Sequence, residues 1–215
     1  MTARLLSALA ARYPLAPIDT GEFAKLKANG MTFTVEAYAA EGLGHVSVMR
    51  ASGFFGLMKM DTLIINPTAL DLPLYSYDRI YAAGNDTLIV ELYDTQLSPF
   101  KGEALSAVKA EFSHLAERDP GEHWYDDIKL PESISKKGKK KETPALDALT
   151  EAHFAAYLAA PASPVSEKEC KTARAAFYVN GLLANGGPST DVFKKALGDE
   201  KTAALFRKIL FGTAK

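Results

Sequence analysis

Five short runs of β-branched and aromatic residues follow one another within a single stretch of about sixty residues, and tight turns separate most of them. The runs span residues 31–39, 46–51, 57–65, 75–82 and 87–93. Parallel neighbours in a sheet need crossover connections of a dozen or more residues, and most connections here are much shorter. The longest one, residues 66–73, contains two prolines that would interrupt a strand ladder. The pattern therefore predicts an antiparallel meander.

Helical patterns flank this meander on both sides. Residues 3–13 and about 20–28 read as short helices before it. After it, apolar residues recur at helical spacing from residue 98 onward, and further helices are predicted at 145–159, 166–184 and 199–210, with Pro188 in a first turn. The lysine-rich segment 133–142 reads as a mobile loop. With no long linker between these parts, we expect one α+β domain over residues 1–215.

Composition excludes several classes of function. The formal net charge of −1 argues against a general nucleic-acid binder, and no apolar stretch is long enough to suggest a membrane span. The N-terminal apolar run lacks a signal-peptide cleavage site. The only cysteine, Cys170, allows no internal disulfide, which fits a reducing cytoplasm. One thiolate also cannot hold an iron–sulfur cluster, so any electrons must come from a bound cofactor or a partner.

Common cofactor and nucleophile motifs are missing. Gly42-Leu43-Gly44 lacks the third glycine of a dinucleotide fingerprint and lies between two strands, so no flavin or NAD site is evident. No P-loop and no Gly-x-Ser-x-Gly elbow occurs. The spacing of His114, His123, Asp126 and Asp127 matches no common metal site, and a solvated helix end explains these residues better.

Two aspartates, Asp61 and Asp78, lie in the middle of predicted strands, where this residue type is depleted. Each carboxylate can be explained by a solvated sheet edge or by a neighbouring lysine or arginine. Alternatively, one sheet face forms a pocket with a buried acid, whose raised pKa would keep it protonated and ready to donate a proton. The residues alone leave both explanations open.

The segment Asp71-Leu72-Pro73 leading into a strand with Asp78, then a glycine turn and the strand Val90-Glu91-Leu92, resembles the central motif of ferredoxin-dependent bilin reductases. The C-terminal segment 189–212 is similar to the closing helices of that family, and the related red chlorophyll catabolite reductases share its fold. The resemblance covers residues 31–212. It implies a three-layer α/β/α sandwich around the antiparallel sheet, with an open-chain tetrapyrrole between the sheet and the C-terminal helices.

By this resemblance, Asp78 falls on the catalytic aspartate, and Asp61 falls on a position that is histidine or asparagine in other members. We expect Asp61 to share the proton load of Asp78, because two close carboxyls do not easily both ionise. Met49 stands where some members carry a catalytic glutamate. Gly186 or Gly187 stands where they carry a C-terminal acid.

The function implied is reduction of a linear tetrapyrrole with electrons from external reduced ferredoxin. Candidate ligand-binding residues are Arg50, Lys59, Arg174 and Asn66, where the cations would meet the ligand's propionates. A lysine cluster could dock an acidic ferredoxin: Lys136, Lys137, Lys139, Lys140 and Lys141. A non-enzymatic tetrapyrrole-binding protein on the same fold, and an unrelated α+β protein whose aspartates are structural, remain as alternatives.

Overall fold

The sheet of the computed structural model, which describes residues 1–214, has eight antiparallel strands. The five predicted strands form its centre in the predicted order. The strands are β1 (Leu15–Ile18), β2 (Lys25–Ala28), β3 (Met31–Ala40), β4 (Gly44–Gly53), β5 (Met58–Asn66), β6 (Leu74–Ala82), β7 (Asn85–Tyr93) and β8 (Ile134–Lys139). Both β1 and β2 pair with β3, and the order then runs through to β8. The meander prediction is confirmed.

Two predictions for the margins of the sheet are wrong. Residues 20–28 form a short 3-10 helix, Gly21–Ala24, followed by strand β2, because a tight turn at Asn29 and Gly30 folds this segment back onto β3. The predicted mobile loop at 133–142 is mostly the edge strand β8. Its inward-facing residues, Ile134 and Lys136, are both buried, so the segment is ordered by its contacts with β7.

The helices form layers on both faces of the sheet. They are α1 (Thr2–Ala10), α2 (Glu103–Glu111), α3 (Thr143–Ala159), α4 (Lys168–Asn185), α5 (Pro188–Leu197) and α6 (Asp199–Ala204), and α6 continues into a π-helix, Leu205–Leu210. Helices α1, α2 and α3 pack on one face and share a core with Val48, Leu63 and Tyr77. Helices α4 to α6 pack on the other face. This is the expected α+β sandwich.

The face under α1 to α3 is closed over the central strands. Tyr75, Tyr77, Leu88 and Val90 are fully buried there, and Tyr75 packs its ring against Phe154 of α3 at 5.6 Å between centroids. The tyrosines of β6 on this face are thus core residues. This layer fully covers the middle of β6 and β7, so a site at the middle of these two strands would be on the other face.

Candidate functional site

The α4 to α6 layer covers only part of its face of the sheet. Beneath it, Phe33 and Val35 of β3 and Met49 of β4 are buried. Farther along the same face, every second residue of the central strands is only half-buried. We call this surface the open strip: Met58, Met60, Ser76, Asp78, Ile80, Thr87, Ile89 and Glu91. It is a shelf of apolar and polar side chains in equal number, with two carboxyl groups, and helices border it on one side.

Asp78 lies in the middle strand of the open strip. Thr62 is directly opposite it on β5, and the hydroxyl of Thr62 donates a hydrogen bond of 2.5 Å to its carboxylate. Burial raises the pKa of Asp78 to about 6. The bond from Thr62 acts in the opposite direction, and the negative charge of Glu91 raises it further. A carboxyl group with such a pKa holds a proton in a fraction of molecules near neutrality, which suits a proton donor.

Glu91 is the second acid of the strip, and it was not among the predicted site residues. It is opposite Ser76, so it is a diagonal neighbour of Asp78. The hydroxyl of Tyr93 donates a 2.6 Å hydrogen bond to one of its oxygens, and the Nζ of Lys129 is 4.0 Å from the other. The available signal was the one used for Asp78: a carboxylate in the middle of a predicted strand.

Aromatic side chains border the strip beside Glu91. The rings of Tyr93 and Tyr178 stack with 3.9 Å between centroids, and Tyr125 meets both of them edge-on. Trp124 extends the group, and it packs so closely on α4 that a side chain at Gly181 would overlap the indole ring. Burial raises the pKa values of Tyr93, Tyr125 and Tyr178, so the phenols stay protonated as hydrogen-bond donors.

Asp61 is on the opposite face of the sheet from Asp78. The register pairs Asp61 with Arg79 and pairs Thr62 with Asp78, and neighbouring residues of one strand point to opposite faces. The carboxylate of Asp61 lies 3.6 Å from the N-terminal ammonium of Met1. The prediction that Asp61 shares the proton load of Asp78 is therefore wrong, because the sheet separates the two groups.

Two of the three predicted ligand-binding cations also point away from the open strip. Arg50 is on the α1 side, where it pairs with Glu36 at 2.7 Å and donates a hydrogen bond to Thr2. Lys59 shares the face of Asp61. These two predictions are wrong for a ligand on the strip, because strand alternation turns both side chains to the other face.

Arg174 lies on the same side of the sheet as the open strip, one helical turn from Tyr178 on α4. It donates a hydrogen bond to the backbone carbonyl of Gln96 and lies 3.9 Å from a carboxylate oxygen of Asp94. Asn66 is fully buried and donates a 2.8 Å hydrogen bond to the carbonyl of Phe211. It therefore fastens the C-terminal segment to the sheet, on the same face as Thr62, and its contact with a ligand stays a prediction.

Lys136 cannot contribute to a docking surface. It is buried, and its Nζ donates to the carbonyl of Leu115 at 3.0 Å and to the carboxylate of Glu117 at 2.5 Å. The other four lysines of the predicted cluster are exposed: Lys137, Lys139, Lys140 and Lys141. Strand alternation thus removes one member of the cluster and leaves the rest on the surface.

The described residues also form cavities away from the open strip. One, of about 450 Å³, is lined by Arg174 and by the segment that follows β7. Another, of about 380 Å³, is at the β2–β3 turn. Neither contains Asp78, because the open strip is a shelf and not an enclosed chamber. Among the described residues, no group of acids, histidines and cysteines is arranged to hold a metal ion, and no helix is long and apolar enough to cross a membrane.

A large sheet between two helical layers defines the class of three-layer α/β/α sandwiches. In this chain the less covered face of the sheet carries a half-buried acid. Within that class the chain is similar to phytochromobilin synthase from tomato, solved in complex with biliverdin. The TM-score is 0.78 over 99% of this chain and 82% of the tomato chain, with 12% sequence identity. No family model and no curated protein sequence matches the chain. The similarity therefore shows a shared fold.

Proposed function

We propose that this protein reduces a linear tetrapyrrole, using electrons from reduced ferredoxin and a proton from Asp78. The observation that carries the proposal is the half-buried Asp78, with its pKa raised to about 6, on a partly apolar strip of the sheet that the helices leave uncovered. A planar multi-ring ligand would cover such a strip and bring its conjugated system over the acid. The likeness in fold to a protein solved with biliverdin supports this choice of ligand.

Reduction of one double bond adds two electrons and two protons to the ligand. Ferredoxin delivers the electrons one at a time, and each ferredoxin is oxidised by one electron. The first electron makes the conjugated system more basic, and the carboxyl of Asp78 then transfers its proton to it. The Asp78 carboxylate recovers a proton from water at the open side of the strip, and the second electron and proton follow in the same way.

The electron donor would dock at the end of the sheet where the exposed lysines lie. The turns between β4 and β5, between β6 and β7, and after β8 meet at this end. The β4–β5 turn also exposes three large apolar side chains, Phe54, Phe55 and Leu57, and leads directly into Met58 of the open strip. An apolar centre with lysines around it matches an acidic redox protein in charge and lies beside the ligand.

A second candidate is a tetrapyrrole-binding protein without enzymatic activity. It is favoured by Met49, which is buried under α4 to α6 at the position where the family resemblance expects a glutamate. With no acid at that position, a ligand on the strip has fewer proton donors around it. The two candidates share the binding surface and differ only in turnover.

Titration with biliverdin tests the binding surface. We expect the visible spectrum of biliverdin to shift when it binds the wild-type protein. The variant Ile80→Glu, which places a charge in the strip, should lose this shift, whereas Phe177→Glu, at an exposed site on α4, should retain it. Absence of any shift with the wild-type protein would contradict both candidates. Anaerobic addition of ferredoxin and its reductase then separates them, since only the enzyme consumes the bound bilin.

A further inference from the structure

The sheet contains two glutamate–tyrosine pairs with the same spacing but different surroundings. In β7 the hydroxyl of Tyr93 donates to Glu91 at 2.6 Å, and in β3 the hydroxyl of Tyr38 donates to Glu36 at 2.8 Å. Residues two apart in a strand share a face, which explains why both pairs form. Glu36 is on the α1 side with Arg50 as its partner. Glu91 is on the open strip, close to a second carboxyl group.

Two polar contacts hold the side chain of Glu91 in place. One oxygen accepts the bond from Tyr93, and the other is 4.0 Å from the ammonium of Lys129. Its side chain is only 16% exposed, so solvent screens its charge weakly. Asp78, its diagonal neighbour, has one hydrogen-bond donor, Thr62, and no ion-pair partner among the described residues.

Glu91 and Asp78 are diagonal neighbours on one face of the sheet, and the negative charge of Glu91 raises the pKa of Asp78. The remaining titratable groups that face Asp78 are the phenols of Tyr125 and Tyr178. Both phenols stay neutral near neutrality because burial raises their pKa values. Glu91 is therefore the neighbouring negative charge that acts on Asp78, with Lys129 partly compensating it.

We propose that Glu91 is a positioning residue: its carboxylate, held in place by Tyr93 and Lys129, keeps the proton on Asp78. Glu91 does not itself transfer the proton. The effect on Asp78 is a property of the protein alone, whereas its consequence for turnover rests on the proposed function.

Titration of the Asp78 side-chain carboxyl carbon by NMR tests this directly, without a ligand. Glu91→Gln should lower the titration midpoint of Asp78 by about one pH unit, because it removes the neighbouring charge. Glu91→Asp keeps the charge and should restore most of the difference. Lys129→Met should move the midpoint in the opposite direction, upward. The matched control is Glu36→Gln, which changes the other glutamate–tyrosine pair and should leave the midpoint where it is.

An unchanged midpoint in Glu91→Gln, or an equal change in Glu36→Gln, would overturn the proposal. If Glu91→Gln does not fold, the upward movement in Lys129→Met decides the question, and its absence would also overturn the proposal. In turnover assays, the loss of activity at high pH should begin at lower pH in Glu91→Gln. If the wild-type protein turns over no bilin, the proposed function fails, but the titration still shows whether Glu91 acts on Asp78.

Discussion

Asp78 and Arg79 are adjacent in β6 and point to opposite faces of the sheet, where their charges are treated differently. Arg79 is fully buried under α3, and its guanidinium pairs with Asp86 and lies 3.3 Å from Asp147. Asp78 faces the open strip, and among the described residues it has a single hydroxyl partner and no cation. On the closed face, carboxylates neutralise the charge of Arg79. On the open face, the carboxyl group of Asp78 has no such partner in the described part of the chain. The difference shows that the charge buried under the helices is paired with carboxylates, whereas Asp78 on the less covered face has only a hydroxyl partner within the residues that the structure describes.

The ion pairs on the closed face also connect the sheet to the helices. Asp86 accepts a 2.8 Å bond from Arg79 and a 2.6 Å bond from the hydroxyl of Thr143, at the start of α3. Asp147, farther along the same helix, provides the second carboxylate. The network thus holds α3 against β6 and β7. Each of its members depends on the others, since a buried charge without a partner is costly.

The largest effect on stability is expected when a partner of Arg79 is removed. Asp86→Ala leaves the guanidinium buried with only the more distant Asp147, so we expect the free energy of unfolding to fall by about 3–5 kcal/mol. Denaturant titration measures this. Asp78→Asn, which changes the neighbour of Arg79 on the other face of the sheet, should change stability far less at neutral pH. A loss below about 1 kcal/mol in Asp86→Ala would mean that water reaches Arg79.

The next largest effect should be on turnover. Asp78→Asn keeps the shape of the side chain and removes its acidic proton, so turnover with reduced ferredoxin should fall roughly a hundredfold or more. Biliverdin should still bind and shift its spectrum, because the strip is otherwise unchanged. Single-turnover kinetics under anaerobic conditions separate the two effects. Wild-type turnover in this variant would remove Asp78 from the mechanism.

The pH dependence of stability should also distinguish the two faces. The pKa of Asp78 is raised from 3.8 to about 6 on folding. Between these pH values the folded protein holds a proton that the unfolded chain has lost, so this group makes stability fall as pH rises. Asp78→Asn should remove that part of the pH dependence. Comparing unfolding curves of the two proteins from pH 3.5 to 7 measures it, and parallel curves would show that Asp78 titrates normally.

A smaller effect is expected from the partner of Asp78. Thr62→Val removes the hydroxyl that donates to the carboxylate, and this bond lowers the pKa of Asp78. We therefore expect a higher pKa for Asp78 and a loss of about 1 kcal/mol in unfolding free energy above that pKa. Carboxyl NMR and denaturant titration measure the two quantities. A lower pKa would mean that Thr62 does not donate to the ionised form.

The smallest structural effect should come from the exposed lysines. Replacing Lys137, Lys139, Lys140 and Lys141 with glutamine should change stability by less than about 0.5 kcal/mol, since solvent screens exposed charges. The KM for ferredoxin should nevertheless rise several-fold at low salt, and its dependence on salt should weaken. The same substitution should leave biliverdin binding unchanged. An unaltered salt dependence would place donor docking elsewhere.

The strand pattern was readable from the sequence because alternation is a local property. The five central strands are enriched in β-branched and aromatic residues, and strand alternation alone puts the neighbours Asp78 and Arg79 on opposite faces. The strands that the sequence reasoning missed are β1, β2 and β8, at the margins of the sheet. Pro17 in β1 and the lysines in β8 are not typical of strands, so the local sequence does not predict these two strands. Pairing with a neighbouring strand makes them extended.

The sequence by itself determined the antiparallel meander, the helices after it and the presence of acids in mid-strand. Only the tertiary structure decided which acids share a face, because the register of β5 against β6 is not encoded in either strand alone. A slip of one residue would have placed Asp61 opposite Asp78 in place of Thr62. Long-range packing selected the register that buries Leu63 and Tyr77 together, and that choice placed the two aspartates on opposite faces of the sheet.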